Sequence, residues 1–175
     1  MFWVFDGLSY GLFPLMTLIL PGSAALLHAL FYFPATLGSL IVCKPGASAY
    51  VLLVASFVEV VLGTKYSVSL VVIALLQAAA AEAVFALFRY RRWTLGVTIL
   101  SALAIGIVYN FYLLFFYYQA FSFFSPRGII GTICELLSAV AFAGFGSWGM
   151  YCALRKSGVL SRFASSRKEH NEENV

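Results

Sequence analysis

The chain contains apolar stretches long enough to cross the hydrocarbon core of a membrane as helices. A helix rises about 1.5 Å per residue, so roughly 20 apolar residues span a bilayer core of about 30 Å. Five such stretches follow one another, separated by short segments: 23–43, 47–62, 67–88, 95–118 and 128–154. Hydrophobic residues make up 62% of the chain and charged residues 10%, whereas soluble domains are about 25% charged. We therefore predict an all-α integral membrane bundle with five full transmembrane helices.

The first 22 residues are also apolar, but they are interrupted too often for a straight span. The interrupting residues are Asp6, Gly7, Gly11, Pro14, Pro21 and Gly22. We interpret this segment as the end of a truncated first helix followed by a re-entrant or extended loop, and we expect the true start to lie upstream of Met1. Residues 1–156 then form the transmembrane bundle. Residues 157–175 are polar and of mixed charge, which predicts a disordered tail.

The basic residues predict the orientation of the bundle. If the five stretches alternate in direction, Lys44, the arginine cluster at 89–92 and the basic residues of the tail fall on one side. Only Lys65 and Arg127 fall on the other. Because the side richer in Lys and Arg is cytoplasmic, we predict a multi-pass protein of the cell membrane with a cytoplasmic C-terminus. The net charge of +4 is then a topology signal and gives no indication of nucleic-acid binding.

Three glutamates each stand alone in an apolar stretch that has no Lys or Arg: Glu59, Glu82 and Glu135. A carboxylate in hydrocarbon costs a few kcal/mol or more, so such residues face a bundle interior or a water-filled cavity. Counted from the outer ends of their helices, Glu59 lies at a depth of about 6 Å, Glu135 at about 12 Å and Glu82 at about 22 Å. We predict that Glu59 and Glu135 contact a ligand, with interhelical hydrogen bonding as the alternative. Glu82 is predicted to be a structural or coupling group near the cytoplasmic arginines.

Aromatic and amide side chains share the outer layer. Ten of the sixteen residues from 109 to 124 are Phe or Tyr. Tyr109 and Asn110 lie roughly 12 to 13 Å below Tyr118, and Gln77 is slightly deeper. The rings fit either an interfacial aromatic belt or a cage for a flat or cationic ligand. With the carboxylates at matching depth, the second interpretation predicts an extracellular pocket for a small amine-bearing or positively charged aromatic compound.

Several short motifs carry a family resemblance. They are KPGA at 44–47, VEVVLG at 58–63 followed by Tyr66, LLQ at 75–77, and AEAVFALFRYRR at 81–92. The chain resembles the YkoE-like substrate-binding subunits, or S components, of energy-coupling-factor (ECF) transporters. The resemblance extends from residue 6 to about residue 160, and the stretch 82–92 is its most specific part.

The resemblance implies a six-helix S component that captures hydroxymethylpyrimidine or thiamine outside the cell. Such a subunit works with a transmembrane coupling subunit and two cytoplasmic ATPases, and it reorients in the bilayer to release its ligand inside. S components have a complete first helix with small residues that dock on the coupling subunit, whereas only the end of that helix is present here. We expect a late start codon to account for this difference.

The ligand chemistry implied by the resemblance agrees with the residue types. An aminopyrimidine presents hydrogen-bond donors for a carboxylate and a ring for stacking, and thiamine adds a fixed positive charge. Asparagine and glutamine amides satisfy both donors and acceptors, and tyrosine rings can stack. The candidate substrate-binding residues are two acids, two amides and three tyrosines: Glu59, Glu135, Asn110, Gln77, Tyr109, Tyr112 and Tyr66.

Small residues in the apolar stretches favour close packing of helices. Residues 144–149 match the spacing of a dinucleotide fingerprint, but no strand precedes them, so we predict helix packing instead. Small residues four apart favour the same packing, and any of these faces could be the docking surface for the coupling subunit. The pairs are Ala79 and Ala83, Ala102 and Gly106, and Ala139 and Ala143.

The remaining signals argue against cofactor or enzyme chemistry. Cys43, Cys134 and Cys152 lack metal-type spacing, and His28 and His170 are isolated, so no metal or cofactor is predicted. No phosphate-binding loop occurs, so a partner must hydrolyse any ATP that is used. No nucleophile and base suggest an enzyme. The alternative function is a proton-coupled secondary transporter for a small cationic or amine-bearing compound, because such proteins use buried carboxylates as proton relays.

Overall fold

The computed structural model describes residues 7, 11–12, 14–16, 18–19, 23–63, 67–116 and 126–162, which form helices and turns without a strand among them. A 3₁₀-helix, Ser23–Leu27, leads into α1, Ala29–Val42. Three further helices follow: α2 (Ala47–Val61), α3 (Ser67–Leu87) and α4 (Leu95–Phe116). The last helical stretch consists of α5 (Pro126–Ser138), a π-helix (Ala139–Gly146) and α6 (Ser147–Lys156), followed by a 3₁₀-turn at Val159–Arg162.

Four helical segments within the described residues are long and apolar enough to cross a membrane. They are Ser23–Val42, Ser69–Leu87, Leu95–Phe116 and Gly128–Lys156. Helix α2 is apolar but has only 15 residues, or about 22 Å of helix. The predicted all-helical membrane bundle is therefore confirmed, whereas the count of five full spans with a truncated first helix is not.

The N-terminal segment and the tail are described only in part. The described residues between 7 and 19 are helical, so the predicted loop does not include those positions. At the other end of the chain, Leu160 is buried and packs with Leu40 and Tyr151. The start of the predicted tail thus packs on the bundle, and residues 163–175 lie outside the described residues.

Helix α1 is the central helix of the bundle. It contacts α2, α3, α4, α6 and the π-helix, while α2 packs on α3, α3 on α4, and α4 on the π-helix. The shared core is built mainly from alanines. These buried alanines are Ala29, Ala35, Ala74, Ala78, Ala81, Ala102, Ala139 and Ala143. Small side chains let helix backbones approach closely in a membrane, where burial from water does not drive association.

Close helix contacts explain the small-residue motifs. A Cβ atom added at Gly144 would lie 3.0 Å from Ile99 Cγ1 of α4, so the prediction of helix packing at 144–149 is confirmed for this residue. Two of the predicted small-residue pairs, Ala102–Gly106 and Ala139–Ala143, lie in the core where α4 packs on the π-helix. A Cβ atom at Gly106 would lie 3.1 Å from Ala139 Cβ. The remaining pair, Ala79 and Ala83, is exposed on α3.

Side-chain hydroxyl groups form hydrogen bonds with backbone carbonyls where α1 and the last helical stretch are irregular. Pro34 lies inside α1 and removes one helical hydrogen bond, and the π-helix lies beside it. Thr36 Oγ1 donates to the Ala143 carbonyl (3.0 Å) and lies 2.6 Å from Ser147 Oγ. Ser147 Oγ in turn is 3.3 Å from the Phe33 carbonyl oxygen. Because no water is available in hydrocarbon, such side chains replace it as partners of the backbone.

Glu82 joins three segments at the end of the bundle where the basic residues lie. Its carboxylate accepts hydrogen bonds from the Gly46 N–H (3.0 Å), the Ser48 N–H (2.9 Å) and the Tyr90 hydroxyl (2.8 Å). Gly46 precedes α2 with a φ of 83°, which glycine adopts readily. The carboxylate therefore binds free N–H groups at a helix N-terminus, where negative charge is favoured. The structure thus gives Glu82 structural contacts.

The turn after α3 depends on the same carboxylate. Arg89 and Tyr90 have φ values of 52° and 54°, a left-handed conformation that costs about 1 to 2 kcal/mol for a residue with a side chain. Trp93 Nε1 donates to the Tyr90 carbonyl at 3.1 Å. Burial and the hydrogen bond to Glu82 raise the pKa of Tyr90 to about 12, so the phenol keeps its proton at neutral pH and remains a donor to Glu82.

Replacing Glu82 by Ala is expected to destabilise the bundle, because three hydrogen bonds to a charged acceptor are lost together. We expect the free energy of unfolding to fall by about 2 kcal/mol, measured as a lower thermal midpoint in detergent. Tyr90→Phe removes only one of these bonds and is the matched control, with an expected loss of about 1 kcal/mol. An unchanged midpoint for Glu82→Ala would contradict the structural role.

Candidate functional site

A buried carboxylate with two side-chain partners forms the centre of the candidate site. Glu135 of α5 has no exposed surface. His28 Nδ1 lies 2.5 Å from Glu135 Oε2, and the Tyr32 hydroxyl donates to Oε1 at 3.0 Å. Each carboxylate oxygen therefore has a protein partner, which offsets the desolvation of the charge. Glu135 thus makes the interhelical hydrogen bonds that were the alternative to ligand contact.

Local helix geometry places both partners of Glu135 on one face. His28 stands between the 3₁₀-helix and α1, where it is the N-cap residue. Tyr32 follows four residues later, about one helical turn further, so both side chains point to the same side of α1. The 3₁₀-helix packs on α5, and Ser138 Oγ of α5 donates to the Leu26 carbonyl. These contacts hold the start of α1 against Glu135.

Tyr109 of α4 completes an aromatic group around the carboxylate. Its ring meets the His28 ring edge to face, with centroids 5.1 Å apart, and lies 6.2 Å from the Tyr32 ring. One turn below, a Cβ atom at Gly106 would lie 3.3 Å from the Tyr32 hydroxyl. The absence of a side chain at Gly106 thus leaves room for the hydroxyl that binds Glu135.

Asn110, the residue after Tyr109, links α4 to α5. Asn110 Oδ1 accepts a hydrogen bond from Thr132 Oγ1 of α5 at 3.3 Å. Tyr112 is buried, and its ring lies 4.8 Å from that of Phe116. Of the predicted ligand residues, Glu135, Tyr109 and Asn110 therefore lie together where α4 meets α5, and Tyr112 is close along α4.

Glu59 lies at the same depth on another helix. Ser39 meets Ser48 and Gly38 faces Val51, so α1 and α2 run antiparallel. Glu59 is eight residues after Val51. In an antiparallel pair it therefore lies level with Leu30, which is eight residues before Gly38. That level is about 3 Å from His28 along the bundle axis. By this register, Glu59, which is 4% exposed, lies at about the depth of Glu135, on a helix that packs on α1 and α3.

Gln77 and Tyr66 differ from this group. Gln77 of α3 is also 4% exposed. Gln77 is five residues, or about 7.5 Å, from Glu82, which contacts Ser48. Glu59 is eleven residues from Ser48, so Gln77 lies about 9 Å closer than Glu59 to the Glu82 end of the bundle. Tyr66 lies outside the described residues. Glu82 is at the opposite end of the bundle from Glu135, as its depth in the sequence predicted.

His28 and Tyr32 belong to the site although the sequence pattern did not predict them. The prediction of an isolated His28 is wrong, because its ring contacts both Glu135 and Tyr109. One signal was available in the sequence. A histidine and a tyrosine four residues apart in an apolar stretch put two hydrogen-bonding groups on one helix face. Within the described ranges, no three His, Cys, Asp or Glu side chains are grouped to hold a metal ion.

Comparison with known proteins gives the family. The sequence profile of the permease component of ABC-type cobalt transport systems matches residues 1–108, which is more than half of the chain. The chain belongs to this family. One relative, the putative HMP/thiamine permease protein YkoE of Bacillus subtilis (strain 168), is 25% identical over 143 residues, covering 81% of this chain and 71% of that protein.

A solved structure shows the same fold. The crystal structure of an S-component of an ECF transporter has a TM-score of 0.81 and 24% sequence identity, and the match covers 95% of this chain and 85% of that one. The chain therefore has the S-component fold, and the resemblance to YkoE-like S components is confirmed. Its relatives are membrane transport subunits and not enzymes.

Gly106→Ala is expected to disturb the support of Glu135, because the added methyl group meets both Ala139 and the Tyr32 hydroxyl. We expect a loss of about 1 to 2 kcal/mol in the free energy of unfolding, measured by thermal denaturation in detergent. Gly149→Ala is the matched control, since a Cβ there has nothing within 4 Å and alanine raises helix propensity. Equal midpoints for the two variants would show that the close approach at Gly106 is unimportant.

Proposed function

We propose that this protein is the substrate-capture subunit of an ECF-type importer and that it binds hydroxymethylpyrimidine or thiamine from outside the cell. One observation supports this most: Glu135, His28 and Tyr109 are grouped inside an S-component fold, with the buried Glu59 at a similar depth on α2, and together they offer carboxylates and amphipathic rings. The name of the Bacillus subtilis relative, an HMP/thiamine permease, agrees with that chemistry.

The proposed contacts follow from the chemistry of an aminopyrimidine. Its exocyclic amine donates to a carboxylate such as Glu59, and its ring nitrogens and hydroxymethyl group pair with amides such as Asn110. Tyr109 and Tyr112 offer faces for stacking, and Tyr66 and Gln77 are further candidates. A thiazolium ring, if present, is attracted to carboxylates and ring faces. The site therefore suits a small nitrogen heterocycle.

The proposed partners supply the energy for transport. The proposed complex contains a transmembrane coupling subunit and two ATPase subunits, which would hydrolyse the ATP, since this sequence has no phosphate-binding loop of the ATPase type. The side of the bundle with Lys44, Arg89 and Arg155 is proposed to be cytoplasmic by the positive-inside rule. The end of the bundle nearer to Glu135 and Glu59 then faces the exterior, and the C-terminus lies in the cytosol.

The isolated protein is expected to bind its ligand without nucleotide. Detergent-purified chain should show saturable binding of radiolabelled hydroxymethylpyrimidine or thiamine, and saturating ligand at 100 times its Kd should stabilise the fold by about 2.7 kcal/mol. Cobalt(II) is tested in parallel, because the family is described as one of cobalt permease components. Saturable binding of cobalt alone, or binding that requires ATP, would contradict the proposal.

Uptake by cells distinguishes the alternative function. A proton-coupled secondary transporter would lose uptake when a protonophore is added and would keep it when the ATPase subunits are deleted. The ECF importer proposed here shows the reverse pattern, since its energy comes from ATP.

Glu59→Gln is expected to weaken ligand binding, because the amide replaces a charged acceptor with a neutral one. Charge-assisted hydrogen bonds are worth about 1.5 to 3 kcal/mol, so we expect Kd to rise at least about tenfold in equilibrium binding. Ser39→Ala, in the buried polar contact with Ser48 at the far end of α1, serves as a control with unchanged Kd. An unchanged Kd for Glu59→Gln would remove Glu59 from the site.

A further inference from the structure

The His28–Glu135 pair has an asymmetric exposure. The Glu135 side chain is 1% exposed, and that of His28 is 11% exposed. Both oxygens of the carboxylate already have protein partners, His28 and Tyr32. A ligand that enters the layer therefore meets the imidazole before it meets the carboxylate.

We propose that His28 is the member of this pair that contacts the ligand, that Glu135 acts through His28 as a positioning residue, and that the pair shifts the preference of the site away from cations and toward uncharged heterocycles. The inference rests on the proposed function and specifies it: compared with a bare carboxylate, the pair favours a neutral aminopyrimidine over the thiazolium compound.

The charge of the pair is the physical reason for this preference. A bare carboxylate in a low-dielectric interior attracts any cation strongly. An ionised carboxylate can only accept, so with Glu135 ionised the hydrogen of this contact lies on His28 Nδ1, in the Nδ1–H tautomer or in the imidazolium. The donor hydrogens of His28 and Tyr32 therefore weaken the negative potential that Glu135 presents to a ligand. The other titratable ring against His28, Tyr109 of α4, is a phenol that adds no positive or negative charge in its neutral form.

The geometry of the rings gives His28 a defined orientation. The hydrogen bond to Glu135 fixes the position of the Nδ1 edge of the imidazole, and the Tyr109 ring lies at an interplanar angle of 83° to it. Two perpendicular aromatic walls can hold a flat ring, one by stacking and the other by its edge. Glu135 thus contributes to binding by fixing the position of His28.

The test compares two ligands in three variants. Equilibrium binding of hydroxymethylpyrimidine, which is neutral, and thiamine, which is cationic, is measured for the wild type, His28→Ala, Glu135→Gln and the double variant. His28→Ala removes a donor from the carboxylate and exposes it to the ligand. We therefore expect the ratio of the Kd for thiamine to the Kd for hydroxymethylpyrimidine to fall about tenfold. In the double variant neither position 28 nor position 135 carries a charge, and the ratio is expected to return to that of Glu135→Gln.

The outcomes separate this inference from the proposed function. If the wild type binds neither ligand, both fail. If the wild type binds and His28→Ala leaves the ratio of Kd values unchanged, only the role of His28 fails. A larger loss of affinity for both ligands in Glu135→Gln than in His28→Ala would show that Glu135 contacts the ligand directly, which also overturns the inference.

Folding of the variants is controlled separately. Thermal midpoints are measured for each variant without ligand, and Ser39→Ala is the control with an unchanged ratio. If His28→Ala does not fold, His28→Leu replaces it, because leucine fills more of the space and donates no hydrogen bond to Glu135. That variant is expected to shift the ratio in the same direction, and no shift in a folded His28→Leu would overturn the proposal.

Discussion

A charged group inside a membrane bundle must have protein partners in place of the water it has lost. Glu135 meets this requirement with His28 and Tyr32, one for each carboxylate oxygen. Both donors come from one turn of α1, so the start of α1 must lie close to α5. That approach in turn requires small residues at the contact, and Gly106 has the Tyr32 hydroxyl and the Ala139 methyl group next to its Cα.

The same constraint applies to the backbone. Pro34 in α1 and the π-helix in the last helical stretch both depart from regular hydrogen bonding. In hydrocarbon such groups cannot turn to water, and the hydroxyls of Thr36 and Ser147 lie where the two irregular segments meet. The irregularity begins one turn after Glu135. A π-helix of this kind is uncommon and is often found near functional sites.

Three glutamates with similar sequence surroundings thus have different environments. Glu82 receives backbone N–H groups at the start of α2, as a carboxylate at a helix N-terminus does. Glu135 receives side-chain donors from α1, and Glu59 is buried on α2 at the same level. Distance along each apolar stretch predicted which glutamate lies near the basic end, because helical rise converts residue number into depth. It carried no information about which groups on other helices would face each carboxylate.

The pattern of apolar residues was enough to predict the class of structure and the depth of its polar groups. Runs of apolar residues can exist in a bilayer only as helices with internally satisfied backbones, and the breaks at 44–46 and 89–94 separate them. The motifs at 44–47 and 81–92 were sufficient for the family, and helical rise predicted similar depths for Glu59 and Glu135. The partners of these groups follow from the three-dimensional packing of the helices. The pairing of His28 with Glu135 joins residues 107 positions apart. Which helix faces meet depends on the packing of all the helices together, and the periodicity of a single stretch does not encode that packing.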